Sequence, residues 1–287
     1  MRVAIVGAGR MGSAAARRLA KLGFDLVIWN RTRERAESLA REIGVRDAGT
    51  LIEALSHSQI ALAMLADDEA LLSVVSSMRR MDGLILVNCS TVTPKASIAV
   101  SKHLEGLGIG YVEAPIVGGP GALERGEAII LVSGRRADVA AAGEVLDALG
   151  EVFVVGWKYG LAPALKLAFN NLLLASIAGL SESLLILDAY GLDKRLFRDL
   201  LGRTVFASFS EKYLERAVEG RKPTFTSRLA GKDARYAAEA LADRGYPRIV
   251  SSRVADIYDL ISSLGGGEDD YVGIYNTLKR LSERVRG

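Results

Sequence analysis

The sequence predicts an α/β domain over residues 1–158, followed by a long connecting helix and an all-α domain over 159–287. Short apolar runs alternate with amphipathic stretches as far as about residue 156. Beyond that point the strand signal stops. An apolar run then opens at Gly160-Leu-Ala-Pro-Ala-Leu-Lys166 and continues to about Leu192. Alternation of the first kind makes a mostly parallel sheet covered on both faces.

Strand patterns fall at 3–6, 25–29, 59–65, 84–88, 110–113, 128–133 and 152–155, with helical patterns at 12–22, 33–42, 69–78, 94–107 and 136–149. After residue 160 the helices break at Gly191, Gly202, Gly220 to Pro223, Gly245 to Pro247 and Gly265 to Gly267, because glycine and proline interrupt helical backbone. In the connecting run Pro163 suits a first turn, where a missing N–H costs nothing. Lys166 and Asn170 are four apart, so they share a face about 6 Å apart along the axis. The residues after them are apolar nearly all round, which predicts burial on several sides. Glu182 and Asp188 interrupt the run, and Lys166, Asn170 and Asn171 stand at its front. That favours a core helix over a membrane span.

A chain of 287 residues with a net charge of +3 buries an ample core and carries no Lys/Arg-rich block. Nucleic acid and membrane surfaces are therefore not expected partners. Arg2 leads straight into an apolar strand, leaving no room for a signal or transit peptide. Cys89 is the sole cysteine, so no internal disulfide or thiolate metal cluster is expected, no metal site is predicted, and a cytoplasmic setting fits.

Gly7-Ala8-Gly9-Arg10-Met11-Gly12 follows the first strand and opens a helix. In that context G-x-G-x-x-G makes a tight turn, lets a pyrophosphate approach the backbone and places it on a helix N-terminus. The reading is a Rossmann-type dinucleotide domain. A dinucleotide reader of the NAD type carries Asp or Glu at the end of the second strand, about twenty residues on. Here Asn30 is followed by Arg31, Thr32 and Arg33. Without the carboxylate a 2′-phosphate is not repelled, and Arg31 offers it a planar, bidentate partner. NADP is the expected cofactor, ahead of NAD.

Met64, Leu65 and Ala66 end the strand over 59–65 on the same edge, where their backbone would line the cofactor. Ser90 and Thr91 end the next strand, just before Thr93-Pro94, a helix cap with proline at the first helical position. Val117, Gly118 and Gly119 lie in a glycine- and proline-rich segment after another strand. Successive unobstructed amides there would hold a carboxylate, although such a segment also serves as a plain structural turn.

Taken in order, these residues resemble the β-hydroxyacid dehydrogenase family over almost the whole chain. The resemblance covers Gly7 to Gly12, Ser90-Thr91 before Pro94, Glu113-Ala-Pro115 through Gly118-Gly119, and Gly160 to Lys166-x-x-x-Asn170. It extends to Lys232-Asp233 and to Glu268-Asp-Asp270-Tyr271. It implies that Lys166 handles the proton of the substrate hydroxyl and that Asn170 helps hold substrate and lysine. It further implies that Gly118 and Gly119 bind the substrate carboxylate and that Lys232 contacts the cofactor; by position, Val117 and Ser90 are candidate substrate contacts and Thr91 a candidate cofactor contact.

The family usually has serine where this chain has Val117, and often glycine at Ala162; both departures bear on substrate choice. A lysine in water titrates near ~10.4, and burial moves it toward a useful range for proton transfer. The expected activity is NADP-linked oxidation of a short 3-hydroxy acid such as 3-hydroxyisobutyrate or L-serine, or reduction of a small aldehyde acid. An imine reductase and a non-catalytic NADP-binding protein are the alternatives. A homodimer or homotetramer is expected.

Overall fold

The computed structural model describes residues 1–286, with side chains through 281. The first part runs β1 (Arg2–Val6), α1 (Arg10–Lys21), β2 (Asp25–Trp29), α2 (Arg33–Ile43), β3 (Arg46–Asp47), α3 (Leu51–Ser56) and β4 (Ile60–Ala63). It continues with α4 (Asp68–Ser76), β5 (Ile85–Asn88), α5 (Pro94–Gly106), β6 (Gly110–Glu113), β7 (Ile116–Val117) and α6 (Pro120–Arg125). β8 (Ala128–Gly134), α7 (Arg136–Ala141), α8 (Gly143–Leu149) and β9 (Gly150–Gly156) complete it.

The sheet order is β3-β2-β1-β4-β5-β6-β8-β7, with β9 also paired to β8. β1 runs parallel to β2 and β4, and β4, β5 and β6 continue in parallel. Only β8 opposes its neighbours β6 and β7. Within β1, Val3 and Ile5 pack on one face of the sheet while Ala4 and Val6 pack on the other. Burial on both faces is why the central strands read as unbroken apolar runs.

The two-residue strands β3 and β7 and the six-residue helices α3 and α6 escaped the pattern reading, being too short to show a period. The single helix predicted over 136–149 is two, divided at Ala142, next to Gly143, which opens α8 and as a glycine weakens a continuous helix.

The chain forms two compact units that divide at Leu167/Ala168, inside α9 (Leu161–Ala189). The second unit continues with α10 (Lys194–Leu201), α11 (Ala207–Glu219), α12 (Ser227–Ala242) and α13 (Ile249–Ile261). A kinked turn over Ser262–Gly266, with Gly265 at φ +89°, and α14 (Ile274–Arg286) follow. Its core gathers Leu174, Ile177, Leu184, Ala230, Ala234, Tyr258 and Ile274. A Cβ on Gly231 would meet the Tyr258 Cβ at 3.1 Å, so α12 and α13 pack closely because residue 231 is small. The prediction that α9 is buried on several sides needs correction: Leu172 is 70% and Ile186 59% exposed, since no other described element of the chain covers that face.

Candidate cofactor and catalytic residues

Six parallel strands, β1 to β6, end at one edge of the sheet, and the strand order reverses beside β1. Ligands of open α/β sheets lie outside that edge, at such a reversal. The three glycines after β1 have different reasons to be glycine. Gly7 has φ +110°, and a Cβ there would stand 2.5 Å from the Met64 carbonyl oxygen. A Cβ on Gly12 would stand 1.8 Å from the Gly7 carbonyl oxygen. Both are imposed by the protein's own packing. A Cβ on Gly9 would meet nothing within 4 Å, and α1 has no side-chain cap there. An open glycine at an uncapped helix N-terminus fits a pyrophosphate, with Ala8, Arg10 and Met11 completing the turn.

Asn30 links this turn to the end of β2. Its Oδ1 accepts the Ala8 N–H at 3.0 Å, and its Nδ2 donates to the Thr32 carbonyl at 2.8 Å. Thr32 stands at the N-cap of α2, yet its hydroxyl makes no capping bond. Arg33 is held by Glu37 at 2.6 Å, whereas the exposed Arg31 has no such partner among the described residues. The start of α2 is therefore a helix N-terminus with a hydroxyl and a guanidinium uncommitted, which suits an anion.

At the ends of β4 and β5, Met64 N–H extends the sheet to the Val6 carbonyl at 2.9 Å. Leu65 N–H donates to Ser90 Oγ at 2.9 Å, Ser90 Oγ donates to the Ala63 carbonyl at 3.3 Å, and Ser90 N–H donates to Asn88 Oδ1 at 3.1 Å. The Ser90 hydroxyl thus ties the two strand ends together, with Ala66 following Leu65 and Thr91 following Ser90 in sequence. Thr93 caps α5 through its hydroxyl, which accepts the Ala96 N–H at 3.1 Å, and Asp68 holds Thr93 from outside at 2.6 Å. Neighbouring Cys89 is buried, which pushes its thiol up to about 12 and keeps it inert.

Val117 lies in β7, opposite Ile129 of β8. Gly118 has φ +145° and would crowd the Ala128 Cβ at 3.3 Å if substituted, whereas Gly119 faces open space. This pair therefore leaves room at its second member.

Lys166 is 8% and Asn170 4% exposed on α9. A side chain of α12 orients Asn170: its Nδ2 donates to Asp233 Oδ2 at 2.6 Å. A carboxylate can only accept, so the amide is fixed with Oδ1 left as an acceptor. Lys232 Nζ forms an ion pair with Asp233 Oδ1 at 3.0 Å and lies 4.9 Å from the centre of the Tyr236 ring.

Two carboxylates carried no role in the sequence reading. Asp233 was visible only as the neighbour of Lys232. Glu113, at the end of β6, is fully buried and accepts from Ser97 Oγ and Gly160 N–H, each at 2.6 Å, and from Ser133 Oγ. Burial pushes its carboxyl above the usual range, while these donors pull it back. A charged residue within an apolar strand was the available signal, since such a group requires partners.

The glycine turn at the sheet reversal defines a dinucleotide-binding α/β domain. Residues 2–156 match the NAD-binding domain of 6-phosphogluconate dehydrogenase, and residues 160–278 the NAD-binding domain of NADP-dependent 3-hydroxyisobutyrate dehydrogenase. The chain belongs to the β-hydroxyacid dehydrogenase family. It is 30% identical to the uncharacterized oxidoreductase YfjR of Bacillus subtilis, over 84% of this chain and 86% of the relative. It is 27% identical to glyoxylate/succinic semialdehyde reductase 1 of Arabidopsis thaliana, over 97% and 99% of the two chains. Its fold resembles that of Mycobacterium tuberculosis 3-hydroxyisobutyrate dehydrogenase with L-serine, with a TM-score of 0.85 at 21% identity over 96% and 98% of the chains.

Proposed function

We propose that the chain is an NADP-dependent dehydrogenase of short 3-hydroxy acids, with Lys166 as its general acid/base. The observation that carries this reading is the buried Lys166 one helical turn before Asn170, whose amide is oriented by Asp233. A bound nicotinamide would supply the chemistry of hydride transfer to or from the substrate carbon. Lys166 takes the hydroxyl proton during oxidation and returns it during reduction. Asn170 Oδ1 accepts a hydrogen bond from the substrate hydroxyl or from the lysine and so aligns the two. Val117, Gly118 and Gly119 receive the substrate carboxylate, with Ser90 supporting the adjoining loop.

Gly7 to Gly12 hold the pyrophosphate, Arg31 and Thr32 the 2′-phosphate, and Met64, Leu65, Ala66, Thr91 and Lys232 the remaining cofactor surface. Asn30 acts by shaping the glycine turn. The uncommitted start of α2 and the match of residues 160–278 to an NADP-dependent family support NADP over NAD.

Reduction of a small aldehyde acid is the same chemistry reversed, and the likeness to a glyoxylate/succinic semialdehyde reductase supports it as the second reading. The deciding experiment is NADP-linked oxidation of a panel of short 3-hydroxy acids, including both serine enantiomers, beside NADPH-linked reduction of the matching aldehydes. No turnover in either direction sinks the proposal. We also propose a cytoplasmic homo-oligomer, on the strength of the lone cysteine and of exposed Leu172, Ile186 and Tyr190 on and just after α9. Light scattering and cell fractionation test it, and a monomer or a non-cytoplasmic enzyme would contradict it.

A further inference from the structure

Glu113 has no exposed surface, and a carboxylate in that position is costly unless donors surround it. What distinguishes it is which donors do so. The Gly160 N–H reaches Oε1 directly at 2.6 Å. The Ala162 N–H donates at 2.9 Å to the hydroxyl of Ser133, which itself donates to Oε2. These amides open α9. A helix start leaves its first amides unsatisfied, and Gly160 has no side chain to cap them. It takes φ +90°, a conformation that strains any other residue, and a Cβ there would crowd Ile98 Cδ1 at 3.0 Å, so a capping side chain at this position is disfavoured. The cap comes instead from the ends of β6 and β8.

Two anchors two residues apart fix both the height and the rotational phase of a helical turn. Lys166 follows Ala162 by four residues, about one turn, so its direction depends on that phase. The same carboxylate is joined to the other side of the sheet edge. Ser97 Oγ, which donates to Glu113 at 2.6 Å, lies 2.8 Å from the Tyr111 hydroxyl. Asn88 Nδ2 donates to that hydroxyl at 3.2 Å, and Asn88 Oδ1 accepts the Ser90 N–H at 3.1 Å. Ser90 Oγ holds the Leu65 N–H at 2.9 Å. Each of these polar side chains is buried, so the line is shielded from competing water.

We propose that Glu113 is a positioning residue for the reaction, clamping the first turn of α9 so that Lys166 is held in register with the loops at Leu65 and Ser90. The proposal rests on the reading of Lys166 as the proton-handling group. Its rival is a cap that contributes stability alone.

Glu113→Gln keeps the side chain's volume but sets an NH2 against a donor, and Ser133→Ala removes the acceptor for Ala162 while leaving Glu113 in place. Both variants, with Lys166→Ala in parallel, are measured for kcat, KM, NADPH affinity by fluorescence, and amide hydrogen exchange over residues 160–167. The clamp predicts at least about tenfold faster exchange at the Gly160 and Ala162 amides and a fall in kcat of about 10- to 100-fold. KM and NADPH affinity stay within about twofold, since the lost interaction aligns the reacting groups without binding them. Wild-type kcat despite faster exchange overturns the proposal. So does a loss of NADPH affinity in proportion to kcat, or unchanged exchange. If Glu113→Gln does not fold, Ser133→Ala is judged by the same criteria. Full turnover by Lys166→Ala removes the underlying reading, whereas an inactive Lys166→Ala beside fully active clamp variants removes only the positioning role.

Discussion

Asn30 Oδ1 accepts the Ala8 N–H at 3.0 Å, so the side chain that ends β2 holds the turn that ends β1. Aspartate there would still accept from Ala8, but would lose the donor to the Thr32 carbonyl and add negative charge beside Arg31. Asn30→Asp is expected to lower the NADP-to-NAD preference in kcat/KM by about tenfold or more. Arg31→Ala is expected to raise KM for NADPH about 10- to 100-fold while leaving that for NADH within about threefold. Steady-state kinetics with both cofactors check the pair. Equal effects on the two cofactors would contradict the assignment.

Removal of the lysine amine should separate chemistry from binding. Lys166→Ala is expected to lower kcat by about 10²- to 10⁴-fold with NADPH affinity nearly intact, as read by fluorescence titration. A variant that still turns over at the parental rate would exclude Lys166 as acid/base.

The glycines of the turn should fail in different ways. Gly12→Ala drives a methyl to 1.8 Å from the Gly7 carbonyl oxygen and is expected to cost about 2–4 kcal/mol of stability through overpacking and backbone shift. Gly9→Ala meets no protein atom within 4 Å. It should leave the melting temperature almost unchanged while weakening cofactor binding at least about tenfold. Thermal unfolding with and without NADPH distinguishes the two, and an unstable Gly9→Ala would mean that this face is not the one left open for the cofactor.

Asp188 joins the end of α9 to α10 and α14: Lys194 Nζ and the Tyr275 hydroxyl lie at 2.5 Å and Lys279 Nζ at 3.0 Å. Partial burial pushes its carboxyl upward, but these three donors outweigh that and hold it well below the usual range. A depressed folded-state value contributes stability above the unfolded value of about 3.9 and loses it as pH falls below that. Asp188→Asn is therefore expected to cost about 1.5–3 kcal/mol at pH 7, with the gap to the parent closing below about pH 4. Melting curves across pH check this; a gap that widens in acid would refute it.

Val117 stands where the family usually has serine. Val117→Ser adds a hydroxyl donor beside Gly118 and Gly119, and is expected to lower KM for a carboxylate-bearing substrate about 3- to 10-fold, one added hydrogen bond to a charged group. Unchanged KM across the acid panel would place the carboxylate elsewhere.

Much of this was legible in the residues themselves. The glycine turn after β1, the strands around it and the proline-capped start of α5 are local patterns, in which backbone need and residue type coincide within a few positions. Lys166 and Asn170 were legible as a pair because helical periodicity alone puts them on one face. Glu113 was different: its partners Ser97, Ser133 and Gly160 are 16, 20 and 47 residues away, on separate elements. Asp233 reaches Asn170 across 63 residues, and the Ser90 hydroxyl is engaged by Leu65 and Ala63 at the end of a neighbouring strand. Periodicity states which face of an element is apolar. It carries no record of which polar groups from distant elements will meet once those faces are buried, and that pairing was decided by sheet register and side-chain packing in the tertiary structure.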